Sequence, residues 1–224
     1  MALPNRPSSL ANTGSQRIRF GLLFRGKKIK QRKITFSTHR IYIEPKTPLK
    51  DPMRTLPDLV EPGLKVLFVG TNPGAKSACI GHYFAGASNM FWKLLYESTL
   101  TEERLTTELD YKVLEYGYGL TDVVKRPTRS TTELRRTDAK GAKERLDTVI
   151  EENVPRIVAF IGKAGYRYYI DDADVPLSYG TQKHKIAESS VYLLPSTSGA
   201  SFADTNYKEK LFWYWKLRKN LQKL

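Results

Sequence analysis

Apolar and polar positions alternate along this chain in a way that sets short buried strands between amphipathic helices. The clearest run, VLFV within Val66–Ser77 (VLFVGTNPGAKS), is β-branched and apolar and stops at Gly70, Thr71, Asn72, Pro73 and Gly74. That is the pattern of a buried parallel strand, placed over Lys65–Val69, ending in a tight loop. A helix is expected over Asn89–Ser98, with Ser88 as its N-cap and Phe91, Leu94 and Leu95 at helical spacing. A second helix is expected over Glu102–Tyr116, and a short strand over Tyr118–Val124 running into a KRPT turn. Asp138–Asn153 reads as helix and Arg156–Ile161 (RIVAFI) as a second buried strand, ending at Gly162–Lys163 before a helix through Ile170. Asp171–Lys185 is polar and reads as a long loop; Val191–Leu194 is the last strand, ending in Pro195–Ser201 (PSTSGAS). A closing helix over Asn206–Leu221 places Leu211, Phe212 and Trp215 on one side. Strands alternating with helices predict an α/β fold, a three-layer sandwich whose central, mainly parallel sheet is covered on both faces.

The charge divides the chain. Residues 1–50 hold 12 of the 37 Lys and Arg against one acid, Glu44, a net +11; the other 174 residues hold 25 − 22 = +3 of the total +14. Residues 1–55 therefore read as a basic, largely disordered arm and linker, with some extended structure in Ile34–Ile43. Pro45, Pro48, Pro52, Pro57 and Pro62 punctuate the approach to a folded domain over 56–224. Such an arm reads as a clamp on a polyanion such as DNA, as a nuclear-import signal or solvated tail, or as both. The single cysteine, Cys79, excludes an internal disulfide framework and fits a reducing compartment. His39, His82 and His184 stand singly, so no metal-ligand cluster is visible, and no apolar run is long enough to span a membrane.

Two loops stand at equivalent strand ends, GTNPG and PSTSGAS, and both open onto the carboxyl edge of the sheet, where open α/β folds bind ligands. Small hydroxylated residues with glycine suit phosphate oxygens. No GK[ST] follows, so this is not a Walker loop. An amide held stiffly at a strand end, as Asn72 is beside Pro73, is placed to orient a water or a base edge.

With both loops in view, the chain resembles the mismatch-specific uracil/thymine DNA glycosylases, the thymine-DNA glycosylase family, and specifically a eukaryotic member. The resemblance runs from about Glu61 to the C-terminus. It rests on GTNPG, GHYFAGASNMFWK, YGLTDVVKRPT, RIVAFIGKAGY and PSTSGAS in order. It implies a uracil-DNA glycosylase-like fold and a monofunctional enzyme that flips uracil, with thymine or another 5-substituted pyrimidine as further candidates, out of a mispair with guanine and hydrolyses its glycosidic bond. Asn72 would position the attacking water, with Thr121 near the attacking side; a plain strand residue is the alternative for Thr121. Phe84 would stack on the flipped base, against the alternative of a core aromatic. Gly70, Thr71, Gly74 and Ser77 would line the base edge, and Asn89 either joins them or caps its helix. Ser196, Thr197, Ser198 and Gly199 would grip the DNA backbone, with Lys163 facing DNA. Ala200 stands where relatives carry a larger wedge, a departure from the pattern for which Phe202 is the candidate substitute. Lys125, Arg126, Arg129, Arg135 and Arg136 are either phosphate contacts or solvated charge. The expected partner is double-stranded DNA with G/U or G/T mismatches. No cofactor, no membrane, a monomer and a nuclear location are expected. A non-catalytic lesion-sensing DNA-binding protein on the same fold and a small-molecule nucleotide or phosphate binder on a doubly wound sheet are the rival readings.

Overall fold

Side-chain alternation along the strands decides the layering of the protein. The computed structural model describes residues 34–37, 40–43, 55–199 and 205–223. The chain divides into two units, Met1–Pro45 and Lys46–Leu224. In the first, β1 (Ile34–Ser37) and β2 (Arg40–Ile43) pair antiparallel, Ile34 opposite Ile43, so the extended structure expected there is a strand pair. The rest of the expected arm lies outside the described residues.

The second unit holds a five-stranded sheet ordered β4-β3-β5-β7-β6. The strands are β3 (Val66–Gly70), β4 (Tyr118–Asp122), β5 (Ile157–Ile161), β6 (Gly180–Ile186) and β7 (Ser189–Leu194). Pairings from β4 through β7 are parallel, and β6 is an antiparallel edge. Val66, Phe68, Tyr118, Leu120, Ile157, Ala159, Tyr192 and Leu194 face one layer; Leu67, Val69, Val158, Phe160, Val191 and Leu193 face the other. The period of two is what a strand buried on both sides requires. Helices α2 (Phe91–Glu97) and α5 (Tyr207–Leu221) cover the first face; α3 (Ala142–Asn153) and α4 (Lys163–Ile170) cover the second. The three-layer α/β sandwich is as expected. Phe68 meets Phe91 and Tyr118 edge-on, with ring centroids at 5.4 and 5.7 Å, which pins α2 beneath the carboxyl edge.

Four expectations are corrected. Gly180–Ile186 is a strand: only Gly180 and Ile186 are buried, so an exposed edge strand with a register shift carries no hydrophobic alternation to read. Its His184 stacks on Tyr166 and shares a hydrogen bond with its hydroxyl. Glu102–Tyr116 is not an α-helix but a 3-10 stretch over Thr107–Tyr116 with a kink at Leu109, closed by Gly117 at φ 77°. The helix expected over Asp138–Asn153 begins at Ala142, because Gly141 at φ 72° separates it from a 3-10 turn, Arg136–Ala139. Along α5 the buried side chains are Lys210, Tyr214 and Leu217, while Phe212 and Trp215 are 46% and 39% exposed. A short helix, α1 (Ala75–Ile80), follows the first loop without having been anticipated. Asn206 caps α5, its side chain accepting from Glu209 N at 3.1 Å while the Glu209 carboxylate accepts from Asn206 N at 3.0 Å.

Candidate active site at the carboxyl edge of the sheet

The loop after β3 is laced along its length to the segment after β4. Gly70 O accepts from Val123 N, and Thr71 O from Val124 N, each at 2.9 Å; Pro73 O accepts from Thr128 N at 3.1 Å, and Ala75 N donates to Thr128 O at 2.9 Å. Within that frame the half-buried Asn72 side chain has one setting. Its Nδ2 donates to Thr128 Oγ1 at 2.7 Å, to Arg126 O at 3.0 Å and to Pro73 O at 3.2 Å. Two of those partners are carbonyls that can only accept, so the NH₂ faces them and the amide orientation follows from chemistry. Oδ1 is left with no partner among the described residues. A fixed acceptor at a strand end can hold a water by one of its protons. Thr128 and the Arg126 carbonyl were not singled out from sequence, although both lie in the YGLTDVVKRPT segment that was.

Gly70 leaves room for a neighbour. A Cβ on it would lie 2.3 Å from Oδ1 of Asp122, its register partner across the sheet. Asp122 is buried, and its Oδ2 has no hydrogen-bond partner. Burial pushes its carboxyl up to about 7; Lys125 and Arg145 pull it down and Asp58 pushes it further up. An unpaired buried carboxyl costs free energy and is concentrated at functional sites. In the sequence Asp122 is marked only as a residue of the Tyr118–Val124 strand.

Thr121 is engaged by another segment. It is fully buried, and its hydroxyl donates to Asp58, whose carboxylate also takes Lys125 and, at 3.1 Å, Arg145. Lys125 Nζ further donates to Leu56 O at 3.1 Å. This network fastens residues 56–58 against β4, and it occupies the Thr121 hydroxyl and the Lys125 ammonium.

The segment after α1 carries the aromatic wall. Phe84 adopts φ 54°, a left-handed conformation costly for a bulky side chain, and its ring stacks on Phe91 at 3.9 Å between centroids. Four contacts hold it there. Ser77 Oγ, buried, accepts from Ala85 N at 2.9 Å; Asp110 accepts from Tyr83 N at 2.8 Å and contacts His82 Nδ1 at 3.0 Å; Tyr83 OH donates to Pro57 O at 3.1 Å. Burial pushes Asp110 up, against the opposing pull of the Tyr83 N–H and His82. Ser77 and Phe84 are thus brought to one place, Ser77 as the brace of the loop. Asp110 is the brace that sequence reasoning missed. Replacing it with Ala removes two acceptor positions from a buried loop, so a loss of roughly 1–3 kcal/mol is expected in chemical denaturation. Unchanged stability would remove Asp110 from this role. The N-cap position of α2 is Met90, not Ser88, which is exposed; one residue before it, Asn89 accepts from Phe91 N through Oδ1 at 2.9 Å.

The last loop closes the edge. Thr197, buried, accepts from Met90 N through its carbonyl at 2.9 Å, and Gly199 packs so closely on Ser88 that a Cβ would lie 2.5 Å from the serine Cβ. Ser196 Oγ accepts from Ser198 N at 3.3 Å. Gly162, at φ 91°, sits against Ser196, and Gly165 in α4 presses on Thr71, where a Cβ would approach Oγ1 to 2.9 Å. Gly70, Thr71, Asn72 and Gly74 therefore share one edge with Ser77, Phe84, Asn89 and the Ser196–Gly199 loop. Gly74 faces open space. Lys163 lies with its Nζ 4.8 Å over the Tyr179 ring. Ala200 and Phe202 lie outside the described residues. Among the basic cluster, Arg126 is tied bidentately to Asp138 at 2.8 and 2.7 Å, and Arg136 meets Asp171 only at 3.9 Å. Arg129 and Arg135 are exposed.

Among the described residues no group of three or more His, Cys, Asp or Glu is placed to hold a metal ion, and no helix is long and apolar enough to cross a membrane. The chain is 21% identical to a candidate uracil DNA glycosylase of Methanosarcina acetivorans, whose solution structure aligns at a TM-score of 0.49 over 75% of this chain and 98% of that one. The family does not rest on so loose a likeness. It rests on the sequence model of the uracil DNA glycosylase superfamily, which matches residues 57–220, from the Asp58 network through the last turn of α5 and across every loop of the carboxyl edge. The chain belongs to the uracil DNA glycosylase superfamily.

Proposed function

We propose that this DNA glycosylase is a monofunctional, mismatch-directed enzyme that releases uracil, and more slowly thymine or other 5-substituted pyrimidines, from mispairs with guanine in duplex DNA, leaving an abasic site. The observation that carries this reading is Asn72: an amide whose NH₂ is held by three acceptors and whose oxygen is left over. Hydrolysis needs a water at the sugar C1′, with the C1′–N1 bond breaking as the base leaves as an anion and the water's proton passing to solvent. An amide can orient that water but cannot take its proton, so the chemistry leans on the leaving ability of the base. That favours bases already loosened in the duplex, and a G·U or G·T pair is cheaper to open than a matched one. Phe84, braced in a strained conformation, supplies the stacking surface, and the Ser196–Gly199 loop with Lys163 supplies donors for the backbone. The basic arm supports a polymeric substrate and a nuclear location, and the protein acts as a monomer.

The test is single-turnover release of free base from duplexes carrying one G·U, G·T or A·U pair. Release from G·U should exceed release from A·U and from G·T. No release from any duplex would favour a lesion sensor, and equal release from G·U and A·U would remove the mismatch preference. Deleting residues 1–50 takes away +11 of the +14 net charge. It should weaken duplex binding and flatten its salt dependence while sparing excision at saturating enzyme. Loss of excision at saturation would place part of the site in the arm.

A further inference from the structure

The outward side of α5 belongs to neither the core nor the carboxyl edge. From Lys210 to the C-terminus the chain has no acidic residue, and Lys208, Phe212, Trp215, Lys216 and Lys219 recur at helical spacing, all exposed. Two large aromatics at 46% and 39% exposure are costly to leave in water. Both lie under cations: Lys216 Nζ is 4.8 Å from the Phe212 centroid and Lys219 Nζ 3.8 Å from that of Trp215. The stripe ends beside a cavity of about 230 Å³ lined by Ile157, Thr181, Ser190, Tyr192, Asn220 and Lys223. Ile157 and Ser190 pair with each other where parallel β5 and β7 begin, so this cavity opens at the amino end of the sheet, opposite Gly70 and Asp122.

We propose that this stripe and cavity dock an acidic amphipathic segment of a partner protein. Apolar side chains of the partner would lie on Phe212 and Trp215 and fill the cavity, and its carboxylates would meet Lys216, Lys219 and Lys223. Charge decides among occupants. The chain's own arm, at +11, and a second copy of the same stripe are both repelled. Duplex DNA fits a positive surface but has no apolar groups for the ring faces or for a cavity floored by Ile157 and Tyr192. Lying at the far end of the sheet, the site can be filled while the carboxyl edge holds DNA. The inference is independent of which base is excised.

The experiment uses the full chain and a fluorescein-labelled synthetic 15-residue peptide of Glu and Asp with Leu and Phe at helical spacing, read by anisotropy. The Lys216→Glu/Lys219→Glu variant should weaken binding at least tenfold, and Trp215→Ala should weaken it severalfold, both with uracil excision unchanged. Lys27→Glu/Lys28→Glu, two reversals in the arm, should change peptide affinity less than twofold. Equal losses from the arm and helix reversals would mean attraction to net charge alone and overturn the site. So would unchanged affinity in both helix variants. Tighter binding of an oligothymidine 15-mer or of vesicles with anionic phosphatidylglycerol than of the peptide, lost in the same helix variants, would overturn the choice of partner.

Discussion

Asn72→Ala should lower single-turnover uracil release by at least ~100-fold while leaving affinity for a G·U duplex within a few fold, because losing one preorganised group at a reacting centre costs about 3–4 kcal/mol. Affinity should be spared because duplex binding is dominated by phosphate contacts, whereas the three hydrogen bonds of Asn72 all lie within the loop and the segment after β4. The substitution also deletes three hydrogen bonds that steady the loop, so a purely structural effect has to be separated from a chemical one. Thr128→Val does this. It keeps the size and shape at 128 but removes the 2.7 Å acceptor, leaving Asn72 two carbonyl partners and more freedom. It should slow release by roughly tenfold, with binding unchanged, if the orientation of the amide is what matters. Asn72→Asp is a second control. A carboxylate cannot donate to the Arg126 and Pro73 carbonyls, so it must turn away, and the loop should lose stability even though a stronger base has been supplied. Parallel losses in binding and release for Asn72→Ala would sink the assignment of this residue to the reacting centre.

What the sequence shows of this arrangement depends on whether a feature is local. Asn72 is legible because it stands one turn beyond a fully apolar strand, and β5 and β7 are legible as similar runs. The start of α5 is legible at Asn206, where the structure adds a local cap with Glu209, three residues on. The group that holds Asn72, Thr128, is 56 residues away in the chain, and Asp58 lies 63 residues from Thr121. Nothing at either end marks such a pairing, since Thr and Asp are ordinary residues for strand ends and turns. Asp110 is hidden for the same reason, and its stretch also misleads: a window with Leu, Val and Tyr reads as helix although its backbone is a kinked 3-10 run. Helix α5 shows the opposite error. Aromatic residues suggest a buried face through Phe212 and Trp215, yet the core takes Tyr214 and Leu217, and Lys210 with them. A lysine on the inner face masks the true period, and exposed rings imitate a false one. Edge strand β6 escapes because an exposed edge with only its two ends buried has no alternation to find.

Asp122→Asn should stabilise the protein at alkaline pH and lose that advantage in acid. Asp122 titrates near 7 in the fold, displaced from an ordinary 3.8 by burial first, with Lys125 opposing, Asp58 reinforcing and Arg145 opposing. The folded state therefore holds a proton that the unfolded chain has already released between pH ~4 and ~7, so stability falls as pH rises across that window and levels off above it. A displacement of that size corresponds to roughly 4 kcal/mol at pH 8, an upper figure because the network around Asp58 can relax. An amide carries no such penalty, though its NH₂ inherits the missing partner at Oδ2, a cost of about 1–3 kcal/mol. The difference leaves a gain of about 1–3 kcal/mol at pH 8, and at pH 5, where the native carboxyl is already neutral, the variant should be equal or slightly weaker. Urea denaturation of both proteins at the two pH values measures it. A constant difference between them would mean that the carboxyl is ionised throughout, held by Lys125 and Arg145, and that burial is not what governs it. Gly70→Ala is the steric counterpart. A methyl there collides with Oδ1 of the same carboxyl, so it must displace either Asp122 or the start of the GTNPG loop, and excision and stability should fall together.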